Sequence, residues 1–471
     1  MLSKQMIQLF ENISGVENVQ YSTASLLAYS YDATANFQAL PDLIIAPRNT
    51  SEVSQIVKLC STHNIPIVPR GSGTNLSAGT TPTSGGVVLL FKNMNKIIEL
   101  DEENMTITVQ PGVITKAVSD VVEQKGLFYP PDPSSRKIST IGGNLSENSG
   151  GLRGLKYGVT KDYVMALEAV LPNGDIIRTG GKLAKDVAGY DLTSLFVGSE
   201  GTLAIITEAT LKLIPKPIYQ ETILSLFRTI EEAAETVSAI LAAKIIPTTL
   251  EFMDKGTLEA VEDYSKIGLP VNCEAVLLIE QDGAQETVQQ DIDKIYEICA
   301  QHGAINVSKA KTEEEAEQLK TARRDALSAL ARLRPTLILE DATVPRSKIP
   351  QMVHAIKRIA DKYNVTIRTF GHAGDGNLHP TCLTDIRDEE EMERVEKAFE
   401  EIFQASIDLG GTITGEHGVG EMKAEYLEWK IGEAGMSVMK AIKQGLDPKN
   451  IMNPGKIFAK ATKKRMVVHN G

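Results

Sequence analysis

The sequence predicts an α+β protein of two domains, followed by a C-terminal segment that returns to the first domain. At 471 residues the chain is too long for one ordinary domain. A β-α-β pattern near the N-terminus ends in a glycine-rich turn. Beyond Pro215 and Pro217, strand and helix patterns alternate, which is typical of an antiparallel sheet covered by helices. We therefore expect a first domain at 1–216, with its core from about residue 38, a second domain at 217–411 and a returning segment at 412–471.

The composition is that of a soluble globular protein, with 42% hydrophobic and 23% charged residues. A net charge of −12 argues against a nucleic-acid-binding protein, because such proteins present basic surfaces. The cysteines are scattered without paired spacing, which favours reduced, buried thiols over a disulfide framework. They are Cys60, Cys273, Cys299 and Cys382.

No apolar run approaches the roughly 18–20 residues that span a bilayer. The start of the chain has the pattern of a short amphipathic helix ending at Gly15, without the features of a signal peptide. We therefore expect a cytoplasmic protein. The basic cluster of Lys463, Lys464 and Arg465 is typical of a solvated tail, and contact with the inner face of a membrane is the alternative.

The first domain begins with a strand at 43–46, a helix from Ser51 and a second strand at 65–68. The glycine-rich turn 69–79 follows. Its glycines and small hydroxyl residues allow consecutive main-chain N–H groups to converge on an anion. It lacks the lysine of a nucleotide-triphosphatase loop, and no helix clearly opens from it, which argues against a Rossmann fingerprint. A plain surface loop is the alternative.

Further strands are predicted at 87–91, 106–110 and 164–171, the last followed by a hairpin turn at Asn173-Gly174. Segments 139–151 and 198–207 are also rich in glycine. The first of them is predicted as tight turns in which main chain approaches a ligand closely. Three such segments in one domain favour an extended, flat, anionic ligand, such as a dinucleotide with a large ring system.

The second domain alternates between predicted strands and helices. Strands are predicted at 221–227, 275–281, 336–339 and 365–370, and helices at 230–244, 286–302, 312–334, 348–362 and 389–409. The helix 312–334 carries Arg323 and Arg324, with Ser328 one turn on. Arginine grips a carboxylate through two parallel hydrogen bonds, so this helix suits an anionic substrate. A solvated helix face is the alternative.

Residues 370–380 and 412–418 contain the side chains of a candidate metal site. The first stretch holds His372 and His379, and the second holds Glu416 beside His417. Neutral imidazole and carboxylate bind divalent metals while leaving a position open. We predict that His372, His379 and Glu416 bind one metal ion (zinc, manganese or iron) and that His417 is the proton acceptor. Satisfied polar residues in loops are the alternative.

The motifs PRGSGT, PPDP, STIGGNLSENSGG and VGSEGTLAIIT, in this order, resemble the FAD-binding domain of the vanillyl-alcohol oxidase and para-cresol methylhydroxylase flavoproteins. The resemblance runs from about residue 38 to the C-terminus. With GHAGDGNLHP and GEHGVG, it narrows to the FAD-linked D-2-hydroxyacid dehydrogenases. This branch includes D-lactate dehydrogenases, D-2-hydroxyglutarate dehydrogenases and the D subunits of glycolate oxidases, and the chain is most similar to the last group. The resemblance implies a two-subdomain FAD-binding domain of the para-cresol methylhydroxylase type with an α+β cap.

The resemblance also implies the site residues. The main chain of 70–75 would hold the FAD pyrophosphate, and Arg324 would hold the substrate carboxylate. Some relatives attach the flavin through a histidine or cysteine, but neither occurs between His63 and Cys273, so we expect non-covalent FAD. The implied cofactor-binding residues are Arg70, Gly71, Ser72, Gly73, Thr74, Asn75, Leu76, Pro131, Asp132, Thr140, Gly142, Gly143, Asn144, Ser146, Gly150, Glu200, Gly201, Ile206 and Asn453.

The implied activity is oxidation of glycolate or D-lactate to the 2-oxo acid. The metal would lower the pKa of the substrate hydroxyl, His417 would take its proton, and a hydride would pass to flavin N5. Where the 2-hydroxyglutarate enzymes carry a polar amide, this chain has Thr381, which weakens that alternative. A metal-dependent hydrolase and a non-catalytic flavin subunit are further alternatives.

The sequence contains no CxxC cluster and no second cofactor motif. Reduced flavin would therefore need an external acceptor other than NAD, or a partner subunit. The resemblance to glycolate oxidase subunits implies companions, one of them an iron–sulfur protein. The oligomeric state, a homodimer included, stays open.

Overall fold

The computed structural model describes residues 2–35 and 37–458. The basic cluster of Lys463, Lys464 and Arg465 lies outside the described residues. None of the helices in the described ranges combines the length and the apolar character that a membrane crossing requires. The four cysteines are free and buried, which confirms that prediction.

The N-terminal sheet has four strands in the order β1-β2-β4-β3, and β2, β4 and β3 run parallel. The helix between β2 and β3 begins where the Asn49 side chain accepts a hydrogen bond from Glu52 N. Parallel strands joined by this helix confirm the predicted β-α-β unit. The elements are α1 (Lys4–Ser14), β1 (Val19–Gln20), α2 (Thr23–Ala28), β2 (Leu43–Ile45), α3 (Thr50–His63), β3 (Ile67–Arg70) and β4 (Val87–Leu90).

The second sheet is antiparallel, with five strands in the order β5-β6-β10-β8-β9, and β7 pairs separately with β11. The predicted turn at Asn173-Gly174 joins β8 to β9. The elements are β5 (Ile97–Asp101), β6 (Thr106–Val109), α4 (Thr115–Glu123), β7 (Leu127–Phe128), α5 (Ile141–Glu147), α6 (Gly154–Tyr157), β8 (Val164–Val170), β9 (Ile176–Gly180), α7 (Leu192–Phe196), β10 (Ile205–Lys212) and β11 (Ile214–Pro215).

The prediction of tight turns throughout 139–151 is wrong, because the segment contains helix α5. Thr140 caps this helix by accepting a hydrogen bond from Gly143 N at 3.3 Å. Ile141 and Leu145 lie one turn apart and are both fully buried in the core. That packing and the cap offset the low helix propensity of the two glycines.

The third sheet has eight strands, all antiparallel, in the order β15-β12-β14-β13-β18-β19-β16 with β17 beside β19. Helices cover both faces, as predicted. The elements are β12 (Tyr219–Phe227), α8 (Ile230–Ala242), β13 (Thr249–Asp254), α9 (Lys255–Ser265), β14 (Ala275–Gly283), α10 (Gln285–Gln301), β15 (Ala304–Lys309), α11 (Glu313–Arg324), α12 (Ala326–Leu330), β16 (Thr336–Leu339), β17 (Ala342–Thr343), α13 (Ile349–Tyr363), β18 (Thr366–His372), β19 (Asn377–Thr384) and α14 (Glu389–Asp408).

The predicted single helix 312–334 is two helices, α11 and α12. Asp325 between them has φ −82° and ψ 0°, outside the α-helical region. Immediately before this break, Arg324 Nη2 lies 2.8 Å from Asp132 Oδ2 in the N-terminal half. In the second domain, strands β13, β15, β17 and β19 and helix α9 were not predicted.

After α15 (Leu427–Leu446) the chain returns to the N-terminal sheet. Ile67 N donates to Ile451 O, and Asn453 N donates to Ile67 O, both at 2.7 Å. The C-terminal segment thus pairs with the edge strand β3, close to the glycine-rich turn that follows this strand.

Candidate active site

A cavity of about 560 Å³ brings together residues that are far apart in the sequence. Its walls come from the turn after β3, the start of α5, the break between α11 and α12, strand β19 and the C-terminal segment. The predicted site residues that line it are Arg70, Gly71, Ser72, Gly73, Thr74, Asn75, Leu76, Thr140, Gly142, Gly143, Asn144, Ser146, Glu200, Gly201, Ile206, Arg324, His379, Glu416, His417 and Asn453.

Four predicted site residues are not among the described residues that line this cavity: Pro131, Asp132, Gly150 and His372. His372 lies behind the wall, with its Nε2 2.9 Å from Glu416 Oε1. Gly150 also lies against Glu416, because a Cβ built there would be 2.7 Å from Glu416 Oε2. His372 and Gly150 therefore do not line the cavity themselves, but both contact Glu416, which does.

The glycine-rich turn offers unpaired main-chain donors to the cavity. None of the N–H groups of 71–76 donates a hydrogen bond to any other residue that the structure describes. Gly73 has φ +71°, and a Cβ there would lie 2.2 Å from Arg70 Nη2; a Cβ on Gly71 would lie 2.1 Å from Thr140 Oγ1. A Cβ at Gly71 would displace the Thr140 hydroxyl that caps α5, and the left-handed φ of Gly73 strains any other residue. Unpaired main-chain N–H groups in a glycine-rich turn bind phosphates. The turn therefore fits the pyrophosphate of FAD.

Asn453 lines the same cavity and carries an unpaired polar atom. Its Nδ2 donates to Gly79 O at 2.9 Å and to Glu200 O at 2.7 Å. Its Oδ1 is buried and has no hydrogen-bond partner among the described residues. An orphaned buried acceptor normally has a partner, so a ligand N–H fits here.

The Glu200 carboxylate binds the main chain of the C-terminal segment. It accepts hydrogen bonds from Val419 N and Gly420 N, both at 2.7 Å, and so ties the C-terminal segment to the N-terminal half. Its main chain is left-handed, with φ +52°, and Glu200 lines the cavity.

Asp132 was predicted to bind the cofactor, but its side chain is enclosed by arginines. Its Oδ2 lies 2.8 Å from Arg324 Nη2, and its Oδ1 lies 3.2 Å from Arg136 Nη1. Burial alone would raise the pKa of Asp132, but Arg324 and the neighbouring arginines hold it below the usual value. Asp132 therefore holds Arg324 in place at the wall, with Glu317 Oε1 3.1 Å from Arg324 Nη1 on the other side.

The hairpin of β18 and β19 presents the two histidines of the candidate metal site. His372 Nε2 lies 2.9 Å and His379 Nε2 lies 3.4 Å from Glu416 Oε1. Two ligand atoms about 2.1 Å from one ion at tetrahedral angles lie about 3.4 Å apart. The three side chains therefore fit a divalent metal. A second group with ligand atoms as close together, Asp341, His379 and His417, shares one histidine with the first.

Glu251 on β13 supports His372 from behind and was missed in the sequence. Its Oε1 lies 2.7 Å from His372 Nδ1, so His372 donates there and turns Nε2 toward Glu416. Carboxylates behind metal-binding histidines fix the imidazole in this way. Burial alone would lower the pKa of His372, but Glu251 and Glu416 raise it well above its usual value. The two carboxylates around the His372 imidazole therefore favour a positive charge there, carried either by a proton on the ring or by a bound metal ion.

Asp341 is the second missed residue, and it holds the segment that carries Glu416 and His417. Its Oδ2 accepts hydrogen bonds from Gly415 N, Glu416 N and His417 N at 2.7, 2.9 and 3.0 Å. Thr414 Oγ1 donates to the same atom at 2.8 Å. A buried acid in or beside an apolar strand is the signal that would have indicated both Asp341 and Glu251.

His417 stacks on His379, with ring centroids 5.0 Å apart. Burial lowers the pKa of His417 to about 4, although the charge of Asp341 opposes this shift. Its Nδ1 lies 4.0 Å from Asp341 Oδ2. His417 is therefore neutral at pH 7, with Nδ1 on the side of a carboxylate.

Two family profiles match the chain: the FAD binding domain over residues 41–180, and the C-terminal domain of FAD linked oxidases over residues 216–457. Glycolate oxidase subunit GlcD of Bacillus subtilis is 66% identical over 467 residues, covering 99% of each chain. D-lactate dehydrogenase of Anaerostipes hadrus is 36% identical over 446 residues, covering 92% of this chain and 93% of that protein.

Solved structures share the same architecture. The structure of p-cresol methylhydroxylase with substrate bound aligns with a TM-score of 0.80 and 20% identity, over 97% of this chain and 96% of that one. The 4-ethylphenol oxidase from Gulosibacter chungangensis aligns with a TM-score of 0.78 and 20% identity, over 98% of each. At this identity the likeness speaks for the fold alone, and it confirms the predicted fold class.

Proposed function

The chain belongs to the family of FAD-linked oxidases, and on this premise we propose that it oxidises a small D-2-hydroxy acid, glycolate or D-lactate, to the 2-oxo acid. The predicted family, the class of enzyme and FAD as the cofactor are confirmed by these matches. The observation that carries the proposal is one shared cavity, because the glycine-rich turn and the Glu416-His417 pair line the same walls. A substrate beside His417 would therefore share its cavity with the flavin.

The walls near the histidines favour a small substituent on the substrate. Leu327, Leu339 and Phe370 line the cavity, and the rings of Phe370 and His379 are 5.4 Å apart. Thr381 is fully buried and its Oγ1 donates to His379 O at 3.2 Å, so it offers nothing to a second carboxylate. These contacts favour glycolate or D-lactate over D-2-hydroxyglutarate.

The chain's own residues supply binding and proton transfer. We infer that His372, His379 and Glu416 hold a divalent metal and that His417 takes up the hydroxyl proton at Nε2. Asp341 favours a proton on His417 Nδ1, which leaves Nε2 free to accept. When bound, non-covalent FAD supplies a two-electron acceptor and the metal supplies a Lewis acid that lowers the pKa of the hydroxyl.

Arg324 is the proposed partner of the substrate carboxylate. It lines the cavity, and its Nε is buried without a hydrogen-bond partner among the described residues. The contacts of its Nη atoms with Asp132 and Glu317 fix the direction of the guanidinium. A fixed guanidinium loses little conformational freedom when it binds a carboxylate.

Electrons leave for an acceptor outside this chain in our proposal. The four cysteines are buried, free and scattered, so they form no iron–sulfur site. The glycolate oxidase relative is named as a subunit, which supports a partner that takes the electrons, an iron–sulfur protein in our proposal. The matched FAD domains argue against a metal-dependent hydrolase, and the cavity with Glu416 and His417 argues against an idle flavin subunit.

A panel of 2-hydroxy acids with a dye acceptor tests the proposed substrate. The FAD-loaded chain is expected to oxidise glycolate or D-lactate faster than L-lactate and D-2-hydroxyglutarate, because Leu327, Leu339 and Phe370 are apolar parts of the wall and Arg324 is the one proposed carboxylate partner. Initial rates give kcat/KM for each acid. Failure to oxidise any 2-hydroxy acid, or a clear preference for D-2-hydroxyglutarate, would contradict the proposal.

Elemental analysis and chelator titration test the metal site. His372→Ala is expected to lose the metal, and Glu251→Gln is expected to weaken metal binding about 10- to 100-fold, because it releases the His372 imidazole. Glu280→Gln is the matched control, since Glu280 is a buried acid on the neighbouring strand paired with Lys320 at 2.6 Å. Unchanged metal content in His372→Ala would refute the ligand assignment.

A further inference from the structure

The segment before the first parallel strand contacts the glycine-rich turn. We propose that Asp32 and Thr34 are positioning residues of the FAD site, which hold the glycine-rich turn and the two threonines after it, Thr80 and Thr81, in the shape that binds FAD. Both residues lie before residue 41, where the match to the FAD binding domain begins. The inference rests on the proposed placement of the FAD pyrophosphate at 71–76.

Asp32 holds the far end of the turn. Its Oδ2 accepts hydrogen bonds from Thr80 N at 3.1 Å, Thr80 Oγ1 at 3.2 Å and Thr81 Oγ1 at 3.2 Å. Its Oδ1 accepts from Thr34 N at 3.0 Å. Asp32 is only 8% exposed, so these partners replace water around its charge.

Thr34 and Ala33 hold the middle and the start of the turn. Thr34 Oγ1 accepts a hydrogen bond from Ala78 N at 2.7 Å, where Ala78 has a left-handed φ of +59°. Ala33 N donates to Gly73 O at 3.0 Å, and Ala33 itself lines the cavity. The segment thus contacts the turn at three separate points.

Thr80 links Asp32 to two residues of the cavity wall, Arg70 and Asn75. Its Oγ1 accepts hydrogen bonds from Arg70 Nη1 and from Asn75 Nδ2, both at 3.2 Å, while it donates to Asp32. Arg70 precedes the unpaired N–H groups of 71–76, Asn75 carries one of them, and both residues line the cavity. Asp32 binds none of those N–H groups, so it shapes the turn and leaves its donors for the cofactor.

Without these hydrogen bonds, FAD would have to order the turn as it binds, and affinity would fall. In Asp32→Asn the amide has only one acceptor oxygen. Its NH₂ group must therefore face either Thr34 N or the donors of Thr80 and Thr81, and those hydrogen bonds are lost. In Thr34→Val the acceptor for Ala78 N disappears with little change in shape. Thr34→Ser keeps the hydroxyl and should restore binding.

The test strips FAD from the full-length protein and measures its Kd by flavin fluorescence quenching. We expect the Kd to rise about tenfold or more in Asp32→Asn and about fivefold in Thr34→Val, with Thr34→Ser near wild type. Asp254→Asn is the matched control, a buried Asp that accepts from Thr257 N at 2.8 Å and Thr369 N at 2.7 Å in the second domain. Its Kd for FAD should equal that of wild type.

Thermal unfolding separates positioning from general stability. Both aspartate variants should lower the unfolding midpoint of the apoprotein, but only Asp32→Asn should reduce the rise that FAD produces. The proposal is overturned if Thr34→Val binds FAD like wild type, or if Asp254→Asn weakens FAD binding as much as Asp32→Asn. If Asp32→Asn does not fold, the comparison of Thr34→Val with Thr34→Ser tests the proposal.

Gly73→Ala distinguishes this proposal from the placement on which it rests. The added Cβ would meet Arg70 in the turn itself, so weaker FAD binding is expected. Unchanged binding in Gly73→Ala would show that the pyrophosphate lies elsewhere. Weaker binding in Gly73→Ala with normal binding in Thr34→Val would refute only the roles of Asp32 and Thr34.

Discussion

Burial keeps the proposed base His417 neutral. Its pKa falls to about 4 because its buried site disfavours the charged form, and Asp341 opposes only part of the shift. A solvent-exposed histidine, with a pKa of about 6.5, would already be partly protonated at pH 6. At the scale of the residue, the surroundings of His417 widen the pH range in which it accepts a proton.

The pH profile of kcat/KM checks this. Because the lowered pKa leaves His417 deprotonated down to about pH 4, its protonation should produce no loss of activity between pH 8 and pH 5. His417→Ala should lower kcat about 100-fold or more while FAD and metal stay bound. His354→Gln, at an exposed histidine, is the control with no expected effect. A wild-type acid limb near pH 6.5 would contradict the lowered pKa.

The element that carries Glu416 and His417 is a loop without regular secondary structure. Asp341 holds it from the end of the third sheet, and Glu200 holds its continuation from the N-terminal half. Burial opposes ionisation of Asp341, but His417, Lys423 and the main-chain donors hold its pKa well below the usual range. The buried Asp341 carboxylate thus satisfies three successive N–H groups of the loop and fixes its conformation.

Removing that carboxylate should loosen the loop. Asp341→Asn is expected to lower the free energy of unfolding by about 2–4 kcal/mol, because its single amide oxygen cannot accept both from the N–H groups of the loop and from the Asn377 amide, which donates to Asp341 Oδ1. Urea unfolding measures the change. Asp385→Asn, whose partner Arg387 is exposed, should change stability by about 0.5 kcal/mol or less. Equal stability losses in the two variants would contradict the role of Asp341.

For the whole molecule, the cavity lies where the N-terminal half, the third sheet and the returning segment meet. FAD bound there would contact parts of the chain that are more than 300 positions apart, because Asn453 and the turn 71–76 line the same cavity. A ligand that binds only this assembled state stabilises the fold as a whole.

The unfolding midpoint of the apoprotein should therefore rise with FAD concentration. Each tenfold increase in free FAD above its Kd should add about 1.4 kcal/mol to the free energy of unfolding. Scanning calorimetry over a series of FAD concentrations measures this, with riboflavin, which lacks the pyrophosphate, as the comparison. The same midpoint at every FAD concentration would show that the flavin does not bind the folded chain.

By itself, the sequence determined the family, FAD as the cofactor, the β-α-β unit and the helix-covered antiparallel sheet. It also indicated the histidines and the acid of the candidate metal site. Glycine-rich turns, apolar periodicity and closely spaced histidines are local patterns, so they are visible without coordinates. Helix α5 could not be predicted from such patterns, because its two glycines have a low helix propensity and its stability comes from the Thr140 cap and core packing.

Only the tertiary structure decided which residues hold the others in place. Glu251 meets His372 across 121 positions, and Asp132 meets Arg324 across 192 positions at the break between α11 and α12. Asp32 and Asp341 likewise act through contacts with distant segments. A carboxylate has the same chemistry at every position in a sequence, and folding alone determines which donors and cations surround it.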